Sequence, residues 1–183
     1  MHGFTLLELL ITAVLTSALL FWGAQGLSEL VGDKRANAAL YQLRATISYA
    51  RHAAITHQAH VIMCPTAQQA CNRRDTWHLG ITVFIDRNRN NKLDPTDDIL
   101  SQTARQAHGR LYWRAFRRRS YLLFTPRGFT DWQNGHFLYC PNNGKPELTR
   151  QLVLNVAGRT YSSRDSNGDG VHEDIKGKNL VCT

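Results

Sequence analysis

Two acidic stretches carry the residue spacing of a calcium loop. In Asp165-Ser166-Asn167-Gly168-Asp169-Gly170-Val171-His172-Glu173-Asp174, oxygen donors fall at loop positions 1, 3 and 5, with glycine at 6 and Glu173 at 9. Position 12, where a bidentate glutamate usually closes the shell, is Lys176, and Asp174 is its nearest substitute. In the stretch 86–97, Asp86, Asn88, Asn90, Asp94 and Asp97 take positions 1, 3, 5, 9 and 12. Position 6 there is Asn91, which tolerates left-handed backbone, and Asp97 is one carbon shorter than the usual glutamate. Arg87, Arg89 and Lys92 add positive charge to that loop. Either stretch could hold a structural calcium ion, or close as a polar turn on its own Asx side chains. At this level both readings stand.

The second candidate chemistry is electrostatic. Lysine and arginine total 22 against 14 acids, a net charge of +8. Seven arginines and no acid lie from Arg105 to Arg127. Within that run Arg110, Arg114, Arg117, Arg118 and Arg119 interleave with Tyr112, Trp113, Phe116 and Tyr121. Arginines supply phosphate contacts and exposed aromatics stack on single-stranded bases, so DNA is one candidate ligand. The alternative is a basic hairpin facing lipid headgroups or acidic neighbours, since net charge alone names no partner. Catalysis is not expected. The eight histidines (2, 52, 57, 60, 78, 108, 136, 172) are scattered, and no HExxH, GxSxG or glycine-rich phosphate loop is present.

Four cysteines remain: Cys64, Cys71, Cys140 and Cys182. An even count following an export-type segment suggests disulfides. Cys64 and Cys71 enclose a short loop and are easily joined, which leaves Cys140 to tie to Cys182. Zinc is the rival, but it wants cysteine or histidine pairs at two-to-four spacing, and here six residues intervene.

The elements that must position these groups begin with a long apolar run. From Phe4 to Ala24 the only charge is Glu8. About 21 residues suffice to cross a bilayer core as a helix, and a charge inside such a run is a functional hypothesis. A secretory signal peptide would want a basic start and a small-residue cleavage site. An ordinary signal anchor gives no reason for Glu8, and a soluble buried helix would not stay apolar on all faces this long. Beyond it, Ala36, Leu40, Leu43, Ile47, Ala50 and Ala54 step by three and four, predicting an amphipathic helix whose stripe packs on a sheet. Strands follow at 60–64, 77–86, 99–103, 110–116, 120–125, 135–139, 149–156 and 160–162. The pair 110–116 and 120–125 reads as a hairpin with Arg117-Arg118-Arg119 at its turn.

Gly3-Phe4-Thr5-Leu6-Leu7-Glu8 resembles the class III leader junction of type IV pilins and type II secretion pseudopilins, whose motif is G-F-T-L-x-E. Three internal stretches, 43–64, 80–94 and 153–159, resemble the GspH, FimT and FimU minor pilins and pseudopilins. The resemblance implies an α+β fold: a long N-terminal helix, transmembrane in its first half, packed on an antiparallel two-sheet β domain. It implies a leader at 1–3, a transmembrane and filament-core helix at 4–24, an amphipathic helix at 25–60 and a β-rich periplasmic domain at 61–183. It implies cleavage after Gly3 by a prepilin peptidase, N-methylation of Phe4, and a pair between Glu8 and the terminal amine of a neighbouring subunit. The expected location is the bacterial inner membrane, single-pass, or a pilus or pseudopilus. The expected role is assembly or priming of a type IV pilus with other minor pilins. Its rivals are a type II secretion pseudopilin at the tip and a DNA-binding pilin for transformation. DNA-binding relatives carry a G-R-x-R stretch; here Gly158-Arg159-Thr160-Tyr161 matches in part, with Arg164 downstream.

Overall fold

The computed structural model describes residues 5–66, 71, 75–115 and 119–182, with backbone alone at 22–26. Gly3, Phe4, Arg117, Arg118 and the 1–3 leader lie outside the described residues.

Helix α1 runs Leu6–Thr56. Thr5 is its N-cap: the Glu8 N–H donates to Thr5 Oγ1 at 3.3 Å. Thr5-Leu6-Leu7-Glu8 is therefore the T-x-x-E sequence of a capping box, with an acid in the positive first turn. The chain divides into two compact units between Arg35 and Ala36. In the first unit the hydroxyls of Thr12, Thr16 and Ser17 bond back to carbonyls three or four residues earlier. Their polarity is absorbed by the helix itself, and the surface from Leu6 to Phe21 is exposed and apolar apart from Glu8.

Among the described residues no helix is long and apolar enough to cross a membrane. This overturns the reading of residues 4–24 as a transmembrane helix, and with it the single-pass inner-membrane placement. Glu29, Asp33, Lys34 and Arg35 follow in the same helix.

Among the described residues the second unit holds eight strands in two antiparallel sheets. They are β1 (Val61–Pro65), β2 (Ile81–Ile85), β3 (Asp98–Gln102), β4 (Gly109–Ala115), β5 (Leu122–Phe124), β6 (Gly135–Pro141), β7 (Arg150–Leu154) and β8 (Thr160–Ser162). The first sheet has the order β3-β2-β1-β5 and the second β4-β6-β7-β8. Ala36, Leu40, Leu43, Ile47, Ala50 and Ala54, the stripe of α1, share one core with inward residues of both sheets.

The alternation along each strand divides its side chains between two clusters. Val61 and Met63 of β1 enter the main core, while Ile62 and Cys64 join Phe84, Leu123 and Cys71 on the opposite face. That outer cluster is why β1 and β2 are buried at every position. The outer face of the second sheet is covered in the same way, by Leu180 against Leu138 and Cys140. The Cys64–Cys71 and Cys140–Cys182 disulfides each close one of these outer covers.

The expected hairpin between 110–116 and 120–125 does not form. β4 pairs with β6 from Gly109↔Pro141 to Ala115↔Gly135, whereas β5 pairs with β1 in the other sheet. Tight hairpins favour Gly, Asn or Asp at the turn, and the connecting residues supply none. Leu111 and Trp113 thus meet Leu122 and Phe124 across the core rather than along one sheet.

Gln133, 1% exposed, holds the start of β5 in place. Its Oε1 accepts from the Leu123 N–H at 2.7 Å and its Nε2 donates to the Tyr121 carbonyl at 3.1 Å. Gln133→Leu keeps the volume and orphans both backbone groups, so a loss of about 2–3 kcal/mol is expected in urea unfolding of the full chain. A loss below about 0.5 kcal/mol, less than one net hydrogen bond, would mean both groups find other partners.

Candidate functional site

The two acidic loops have different interiors. In the first, which joins β2 to β3, Asp86 is buried and its carboxylate accepts from the backbone N–H groups of Asn90 and Asn91. The side-chain amides of Asn88 and Asn90 both donate to Asp94 Oδ2, at 2.7 and 2.9 Å. The Thr96 hydroxyl and N–H bind the other Asp94 oxygen, and these bonds hold Asp94 well below the usual carboxylate range. Asp97 accepts from the N–H groups of Arg87 and Asp94. The loop is closed by its own donors, as an Asx-rich turn is.

In the second loop the acids converge. Asp165, Asp169 and Glu173 bring carboxylate oxygens within 4.8 Å of one another, the only such carboxylate cluster among the described residues. Asp165 accepts from Gly168 N–H at 2.7 Å and Gly170 N–H at 2.9 Å, and Asn167 Oδ1 from Asp169 N–H at 2.9 Å. Hydrogen bonds from Asn179, Val171 N–H and Asn167 lower the Asp169 carboxyl below its ordinary range. Asp174, the expected substitute for the final ligand, turns away: its Oδ1 accepts from the N–H groups of Lys176 and Lys178. Glu173 takes its place in the cluster. Its position 9 was visible in the sequence, but its burial follows only from the way the tail folds.

A groove of about 460 Å3 is lined by α1, Arg150 of β7, β8, Ser163, Arg164 and His172. Arg44 reaches across it to the Ser162 hydroxyl at 2.8 Å. Arg150 on its floor donates to the carbonyls of Glu147 and Thr149. Ser163 Oγ stands 3.0 Å from His172 Nδ1, and it also accepts the Gln151 N–H at 2.9 Å. That serine therefore links β7 to the tail, a structural use of a Ser–His contact. Arg44 carried no motif and went unmarked in the sequence.

The described arginines of the expected basic hairpin, Arg110, Arg114 and Arg119, are not brought together on one hairpin. Arg110 and Arg114 are exposed on the outer side of β4, while Leu111 and Trp113 fill the core. Arg119, ahead of β5, pairs with Asp131 at 2.8 Å and lies over the Tyr121 ring. The Asp131 hydrogen bond raises the Arg119 pKa. Arg159 is exposed in the β7–β8 turn, and Arg164 lines the groove. That turn needs its glycine: Gly158 has φ +73°, and a Cβ there would stand 3.1 Å from both Gly128 O and Arg51 Cδ. The histidines are equally dispersed, and burial, then Arg114, pushes the His136 pKa down.

Comparison with known proteins bears on the whole arrangement. The family model of type II transport protein GspH matches residues 39–158. The fold is similar to crystal structures of the type IV minor pilin FimU from Pseudomonas aeruginosa (strain PAO1). One has a TM-score of 0.53 at 20% identity, covering 68% of this chain and 85% of that one. A second crystal form gives 0.52 at 19%, with 70% and 92% covered. At these identities the likeness concerns the fold. No curated protein sequence matches the chain. The GspH match covers well over half of the residues and takes in the packed half of α1 and seven of the eight strands. The chain belongs to the family of type II transport protein GspH.

Proposed function

We propose that this chain is a filament subunit that takes part in assembling or priming a type IV pilus or the related secretion pseudopilus. The observation that carries the reading is the exposed apolar surface of α1 from Leu6 to Phe21, broken only by Glu8, in a chain of this family. Exposed residues such as Leu6 (79%), Leu10 (54%) and Val14 (64%) need cover, and the same helix of other subunits supplies it in a filament. A carboxylate entering that bundle needs a cationic partner. After prepilin peptidase cleaves behind Gly3, the new Phe4 amine of a neighbouring subunit meets that need.

The test separates the charge of Glu8 from its place in the capping box. Glu8→Gln keeps a capping-box side chain and removes the charge. Incorporation into purified filaments should fall tenfold or more, the order expected from losing one charge-assisted bond of about 1.5–3 kcal/mol. Wild-type incorporation of the Gln variant would end the ion-pair account. Mass spectrometry of the assembled subunit should find Met1-His2-Gly3 removed and one methyl group added. Deleting the gene and comparing surface pili with protein secretion would decide between the two machines.

A further inference from the structure

We infer that the loop Asp165–Glu173 is a calcium site, with Glu173 as its buried anchoring ligand. Three carboxylates with oxygens within 4.8 Å of one another repel unless a cation joins them. The second, independent observation is Glu173 itself. It is 6% exposed, its Oε2 accepts the Ser166 N–H at 2.8 Å, and its Oε1 is buried with no hydrogen-bond partner among the described residues. A buried carboxylate oxygen without a donor is costly, and a bound cation removes that cost.

The ligand set is all oxygen: Asp165, Asn167, Asp169, the Val171 carbonyl at loop position 7, and Glu173. Gly170 at position 6 has φ +86°, as the sharp turn of such loops requires. Lys176 at position 12 removes the usual closing ligand, so water must complete the shell. Calcium accepts such an irregular set, whereas magnesium demands near-ideal octahedral geometry. An incomplete, flexible loop belongs to the weaker class of sites, with Kd of about 0.1–1 mM.

The position gives the ion a structural task. Glu173 forms backbone bridges with both Arg164 and Asn179, and the Asn179 side chain bonds Asp169 at 2.8 Å. An ion on Glu173 thus ties three passes of the C-terminal tail beside the Arg44 groove. The loop lies beyond the stretch 39–158 that the family model matches.

The test is equilibrium dialysis of the purified full chain against radioactive calcium, with a magnesium competitor. Saturable calcium binding that excess magnesium displaces poorly is expected. Glu173→Gln and Asp169→Asn should each weaken it at least tenfold, while Asp94→Asn in the first loop leaves it unchanged. Asp169 is exposed, so its variant serves if the Glu173 variant does not fold. No binding up to about 10 mM, well above the weakest calcium modules, would overturn the inference. So would loss of binding in the Asp94 variant with retention in the Glu173 and Asp169 variants.

Discussion

Replacing Phe137 with alanine should cost about 4 kcal/mol of stability, the range for deleting a buried aromatic side chain. Phe137 is fully buried, with its ring 4.3 Å from that of Trp113 and 4.9 Å from that of Trp77. It joins the β4–β6 pair to the 3-10 turn Trp77–Leu79, and all three rings share the core with Leu43 and Ile47 of α1. Alanine leaves a void that neither indole can fill, because both are already packed in the same cluster. Trp113→Phe is the informative contrast. The Nε1 atoms of Trp77 and Trp113 have no hydrogen-bond partner among the described residues, so that exchange forfeits volume and no polar contact. It should cost less than half as much. Chemical denaturation of the full-length variants measures both. Equal losses would mean that the Trp113 indole carries polar or shape contacts beyond ring packing.

The packed half of α1 was legible because one physical rule governs it. Residues 36–54 see a single apolar face, and the spacing of Ala36, Leu40, Leu43 and Ile47 names that face directly. The strands were legible for the same reason. Their pairing was not. Leu111-Tyr112-Trp113 and Leu122-Leu123-Phe124 both alternate or run apolar, and either pattern fits one hairpin or two facing sheets. Deciding between them needs the partners of each edge, β6 for one and β1 for the other, which lie far along the chain. The hairpin was also the frame on which the basic residues were placed, and its described arginines lie on β4 of one sheet and ahead of β5 of the other. Arg119 is committed to Asp131, twelve residues later, a pairing no local spacing reveals.

The two acidic loops sharpen the point, since they share a spacing and differ in what fills it. Both place Asx side chains at positions 1, 3 and 5. In the first, Asn88 and Asn90 turn their amides on Asp94, so the carboxylate is spent on internal donors. In the second, glycine at positions 4 and 6 leaves fewer side chains to answer three acids, and Glu173 is carried inward by bridges to Arg164 and Asn179. The reading of residues 4–24 as a transmembrane helix rested on counting apolar residues along the sequence. Among the described residues no helix is long and apolar enough to cross a membrane.

Removing the Cys140–Cys182 disulfide as a double serine variant should cost about 4 kcal/mol, against about 2 for Cys64–Cys71. The sequence separations are 42 and 7 residues. In the chain-entropy account a longer closed loop removes more freedom from the unfolded chain, which gives these two figures at room temperature. Native contacts push the same way. The long bridge joins β6 to the end of a tail whose only buried apolar side chain between 164 and 181 is Leu180, packed on Leu138 and Cys140. Without the bridge that one side chain must hold the cover of the second sheet almost alone. The double variant should therefore unfold in two steps, the tail first. Limited proteolysis should cut between residues 164 and 182 under conditions that leave the sheets intact. The short bridge differs, because its cluster also contains Ile62, Phe84 and Leu123 from three paired strands. A single cooperative transition in the Cys140/Cys182 variant, with the tail as resistant as wild type, would mean the polar bridges around Glu173 suffice to hold it.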